Sequence, residues 1–108
     1  MFGFGNKTAY QLVVEFVEES SKSFKEVTDL EMFLDAELKS GEVDGNDVGQ
    51  GIINIFIITK DPPKCFAETM SHIKSKSLKL SAAGYRPVDG EEYVRLWPSD
   101  DKTPFELK

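Results

Sequence analysis

Cys65 and His72 are the chain's single cysteine and single histidine, and a thiolate–imidazole pair is the one nucleophilic arrangement they could form. On one helix their spacing puts both on the same side, about 10 Å or two turns apart. Such a pair needs roughly 3 Å. Both also lie off the apolar stripe of that helix, so the spacing predicts a flanking, partly exposed pair with no catalytic role. Asp44-Gly45-Asn46-Asp47-Val48-Gly49 resembles the start of a calcium loop. That loop needs an oxygen side chain at its fifth position and a glutamate at its twelfth, where Val48 and Ile55 stand. Asp-Gly chemistry predicts a hairpin turn there instead. One histidine and one cysteine do not make a zinc site. Gly45, Gly49 and Gly51 precede an apolar run, whereas a phosphate loop follows a strand and opens a helix. Glu37 falls within a helical stripe but near the helix end, where a long charged side chain reaches water. No catalytic residue, metal or cofactor is expected.

The element that must organise the rest is Gly51-Ile-Ile-Asn-Ile-Phe-Ile-Ile-Thr59, stopped by Asp61-Pro62-Pro63. Its β-branched side chains favour a pleated surface, and its two apolar faces suit a strand with neighbours on both sides. Asp61 as N-cap and Pro62 as the first helical residue start a helix over 62–78, with Phe66, Met70 and Ile73 as its buried stripe. Residues 8–18 alternate as a first strand. Two capping boxes follow, Ser23…Glu26 and Thr28…Glu31, of which Thr28 reads as the N-cap of a helix over 29–39, with Leu30, Phe33, Leu34 and Leu38 inward and Gly41 as C-cap. A short edge strand follows near 42–44. Tyr85–Val88 and, more strongly, Glu92–Trp97 read as the last β segment.

Strand, helix, strand, strand, helix, strand is the ferredoxin-like split β-α-β pattern. The expected fold is α+β: an antiparallel sheet of order 4-1-3-2 with both helices on one face. The alternative is a different α+β sandwich, with 83–97 as a separate hairpin. The chain reads as a single domain, with residues 1–7 a mobile arm and 99–108 a polar tail.

The composition, 40% hydrophobic and 30% charged, is that of a folded globule. No apolar run approaches the roughly 20 residues of a membrane helix. The start lacks the pattern of a signal peptide, so a cytoplasmic location is expected. A formal net charge of −6 argues against nucleic-acid and anionic-membrane partners. It favours solubility or a basic protein partner.

If Tyr10, Leu12, Val14, Phe16, Ile53, Ile55, Ile57, Val94 and Leu96 face the helices, parity sends the remaining strand residues to the opposite face. That face would carry Val13, Glu15, Val17, Phe56, Ile58, Tyr93, Arg95 and Trp97, the candidate interface. Glu15 and Arg95 would then form a cross-strand ion pair. An apolar patch of this kind calls for a cover: a second copy or another protein, the chain's own tail with Phe105, or a small ligand.

The segments Val43–Gly51 and Asn54–Pro62, with the late Leu96-Trp97-Pro98, resemble a group of small bacterial proteins that share a D-G-x-D-x-G-x-G…N-I-F-I-x-T-x-D-P pattern and have no known activity. The resemblance implies a bacterial cytosolic protein. Small acidic bacterial proteins of this size include immunity proteins, which neutralise toxins by binding them. Two functions are expected. The first is a non-enzymatic interaction domain, homodimeric or partner-binding, immunity-like in its sharpest form. The second is a small-ligand-binding or enzymatic domain with a pocket at the sheet face or dimer seam.

Overall fold

The computed structural model describes residues 8–19 and 21–107, so the expected arm over 1–7 lies outside the described residues. The elements are β1 (Tyr10–Val17), α1 (Ser21–Glu37), β2 (Glu42–Gly49), β3 (Ile52–Thr59), α2 (Pro62–Ser75), β4 (Ala82–Pro87) and β5 (Val94–Trp97). The fold is α+β, with one antiparallel sheet of order β2-β3-β1-β4-β5.

The sheet is built on β1. Leu12 lies between Ile57 and Tyr85, Val14 between Ile55 and Ala83, and Phe16 beside Ile53. Against this row pack Val27, Leu30 and Leu34 of α1 and Cys65 and Ile73 of α2. Leu12, Val14, Ile55, Ile57 and Leu30 are wholly buried, each worth about 1.5–3 kcal/mol of apolar transfer.

The expected four-strand order is corrected at one edge. β4, not 92–97, lies beside β1, and β5 is outermost. Ala82-Ala83-Gly84 has weak strand propensity, which hides β4 in the sequence. Ala83 is buried in the core beneath the helices. Glu15 therefore faces Asn54 and Ala82, while Arg95 faces Gly84 one strand further on, and the expected ion pair does not form.

The hairpin turn also lies elsewhere. Gln50 and Gly51 take φ of 52° and 78° and join Gly49 to Ile52. Two consecutive left-handed residues make a tight two-residue connection that matches strand twist. Asp44–Asp47 lies inside β2, where Asp44 is the extra residue of a bulge and Gly45 takes φ 129°. The edge strand is thus 8 residues long rather than a stub.

α1 starts well before the expected box. Thr28 is not its cap; its Oγ1 donates back to the Phe24 carbonyl at 2.9 Å. Phe33 turns outward and Val27 replaces it in the buried stripe. Gly41 is needed for space: a Cβ there would lie 2.9 Å from both Cys65 Sγ and the Ile58 carbonyl. α2 ends earlier than expected, with Ser77 at φ 58° and the Leu78 N–H donating to the Ile73 carbonyl. A serine in this left-handed position gives no glycine signal.

Asp61 caps α2 as its type predicts, accepting from the Lys64 N–H at 3.2 Å. Asp61→Ala is expected to cost about 1 kcal/mol, read as a lowered denaturant midpoint.

Candidate functional site

The chain's own tail closes the β4–β5 side of the face away from the helices. Gly84 has no side chain, and Phe105 occupies that space: a Cβ on Gly84 would stand 2.6 Å from Phe105 Cγ. Phe105 is buried, 5.1 Å from the Tyr93 ring and 5.8 Å from the Arg95 guanidinium. Arg95 holds the tail by its backbone. Its Nε donates to the Thr103 carbonyl at 2.8 Å, Nη1 to that of Trp97 at 3.0 Å and Nη2 to that of Pro104 at 3.2 Å. Asp101 stands 3.8 Å from Arg95 Nη1. The Thr103 hydroxyl and N–H donate to Asp101 and hold its carboxyl below the usual range. The Tyr93 hydroxyl donates to Gln11 and accepts from Arg86 Nε.

The expected interface residues therefore separate. Val13 and Glu15 are buried, and Glu15 Oε2 accepts no hydrogen bond among the described residues. Tyr93 and Arg95 are engaged with the tail. Trp97 is on the other side altogether: it pairs with Ala83 and packs against the helix-face core. The cause is a bulge at Leu96, which sets two residues of β5 against one of β4 and breaks the alternation. Val17 stays exposed on the expected face, and Phe56 and Ile58 are half-buried, as Tyr93 and Arg95 are.

A knot of polar groups ties the α1–β2 connection to α2. Glu68 accepts from the Lys39 and Ser40 N–H groups at 3.0 and 2.9 Å and from the Ser40 hydroxyl. His72 Nε2 lies 4.0 Å away on its other side. Burial pushes the Glu68 carboxyl up, but the Ser40 hydroxyl, the two backbone donors and His72 outweigh it, and the net shift is down. Serine, glutamate and histidine are together here, but the carboxylate stands in the middle, so the imidazole does not meet the serine as in a serine–histidine nucleophile pair. Cys65 is wholly buried, not flanking as its spacing suggests. Burial raises its thiol, offset in part by Ser40, Thr59 and Thr69, so the reactive thiolate is disfavoured. His72 meets the Phe33 ring at 4.9 Å. No group of metal-ligating side chains occurs among the described residues.

Two surfaces are left. A groove of about 820 Å³ opens between the start of α1, the end of α2 and the sheet, lined by Phe16, Val27, Met70, Leu78, Leu80 and Trp97, with Lys74, Lys79, Glu19 and Glu26 in its walls. The second is the margin formed by α1 and β2. Residues 21–49 carry Glu26, Asp29, Glu31, Asp35, Glu37, Glu42, Asp44 and Asp47 against Lys22, Lys25 and Lys39, a formal −5, and Lys25 pairs with Asp29 at 2.9 Å. The rest of the chain holds 11 acids and 10 lysines and arginines, a formal −1. Most of the excess negative charge thus lies in α1 and β2. Asn46 donates to Glu31 at 2.7 Å and ties β2 to α1, and Met32 is 67% exposed beside them. Composition alone missed this because net charge carries no position; the pattern is legible once acids are counted by element.

No protein-family model matches the chain, and neither a curated protein nor a solved structure does. Among the described residues no helix is long and apolar enough to cross a membrane.

Two outcomes test the closures. Gly84→Ala is expected to expel Phe105 and cost about 1.5–3 kcal/mol, yet cost little once Phe105→Ala is present. Equal costs in both backgrounds would contradict the contact. A carboxyl whose folded pKa is depressed contributes stability that is complete above its unfolded value and lost as pH falls through the folded one. Glu68 therefore supports the fold above its ordinary value of 4.5 and ceases to do so in acid below it. In Glu68→Gln that part of the acid limb should flatten in pH-dependent unfolding.

Proposed function

We propose that the chain is a non-enzymatic protein-interaction domain that binds a basic protein partner through the acidic α1–β2 margin, in the manner of an immunity or inhibitor protein. The observation that carries this reading is the concentration of negative charge in α1 and β2. Like charges spaced within a Debye length of roughly 8–10 Å act together and steer an oppositely charged partner. They also oppose self-association through the same surface. Of the groups weighed for chemistry, Cys65 is wholly buried and Glu68 holds the α1–β2 connection, which supports binding over chemistry. On immobilised oligolysine, the chain should bind with strong salt dependence. The double variant Asp35→Lys with Asp47→Lys should weaken binding about tenfold or more, and Val17→Glu should not. Equal losses from Val17→Glu would return the interface to the opposite sheet face.

A second reading, small-ligand binding, is favoured by the Trp97 groove, whose volume falls within the range of ligand sites, about 300–1,000 Å³. Trp97 is the chain's one tryptophan. An apolar fluorescent probe in the groove should quench its emission, and Leu78→Arg should abolish the quenching. A probe that binds without touching Trp97 emission contradicts the reading.

A further inference from the structure

We propose that the outer edge of β2 accepts an extended segment of the partner as an added strand, with lysine or arginine at alternate positions entering the groove between β2 and α1. The proposal rests on the acidic margin being the binding surface and adds how the partner is held.

β2 is terminal in the sheet order, so its outer backbone N–H and C=O groups have no neighbouring strand among the described residues. Every residue from Asn46 to Gly49 is exposed. Such an edge is a template for strand addition. Beside it runs a groove of about 430 Å³, lined by Glu31, Met32, Asp35, Val43, Gly45 and Asn46 together with Thr28. A Cβ placed on Gly45 would meet nothing within 4 Å, so the strand is uncrowded at the bulge.

The groove selects its occupant by charge and spacing. Alternate side chains of a strand point to one face about 7 Å apart. Glu31 and Asp35 stand one helical turn apart, with Cβ atoms about 5–6 Å from one another. Two cations at alternate positions of an incoming strand can therefore each meet a carboxylate. Their methylene stems can lie on Met32. The intervening side chains fall on the other face, where Glu42 and Asp47 sit opposite Ile58 and Asn54. A second copy is disfavoured, because its β2 would set Glu42, Asp44 and Asp47 against the same charges. The edge thus repels its own kind and selects a basic strand.

The test uses an alternating lysine–threonine peptide, as long as β2, and its fully N-methylated counterpart. Both carry the same charge, but the second has no backbone N–H to donate. The unmodified peptide should bind the chain at least about tenfold more tightly and slow amide exchange at 42–49. Glu31→Lys with Asp35→Lys should remove that preference. Equal binding of both peptides, lost on the charge reversal, would overturn strand addition and leave the acidic-margin reading standing. Binding by neither peptide, or binding that the reversal leaves unchanged, would overturn both.

Discussion

The pairing of β1 with β3 on one side and β4 on the other is the constraint on which the rest depends. It sets Leu12, Val14 and Phe16 in register with Ile57, Ile55 and Ile53, so one continuous apolar row faces both helices. A slip of one residue would turn that row to the opposite face and strip the helices of their partner. Because β1 is central, its other face, Val13 and Glu15, is buried as well. The edges, with the groove beside Trp97, are consequently where the chain can meet anything else.

The two edges are treated differently. At β5 the chain folds back, Arg95 gathers three carbonyls of the tail and its neighbourhood, and Phe105 fills the place a side chain on Gly84 would take. At β2 no strand or tail covers the edge among the described residues, and carboxylates line it. Bulging and charging an edge is how soluble sheets avoid pairing with copies of themselves. The same carboxylates leave a complementary, basic segment as a fitting neighbour.

What the sequence showed follows from where side-chain pattern alone decides structure. The strand Ile52–Thr59 was legible because a run of β-branched residues suits a strand with neighbours on both sides, and β1 because Leu12, Val14 and Phe16 alternate onto one face. Asp61 and Pro62 fixed the start of α2 because a cap is local chemistry. Trp97 was misplaced because the bulge at Leu96 is an insertion in the ladder, which periodicity cannot register. β4 was under-read because Ala83 and Gly84 act by being small, and smallness has no strand propensity. The start of α1 was lost to a Thr28…Glu31 box that has the right letters within a helix already under way. The acidic margin was visible only as net charge until the fold put α1 beside β2.

The central claim is that this domain meets its partner at the acidic α1–β2 margin and not across the sheet face away from the helices. A backbone amide NMR titration with oligolysine at low ionic strength tests it most directly. The account predicts shifts concentrated at Glu31, Asp35 and Glu42–Gly49 that fade as salt is added. Shifts centred instead on Val17, Phe56 and Ile58, or spread evenly over the surface, would contradict it.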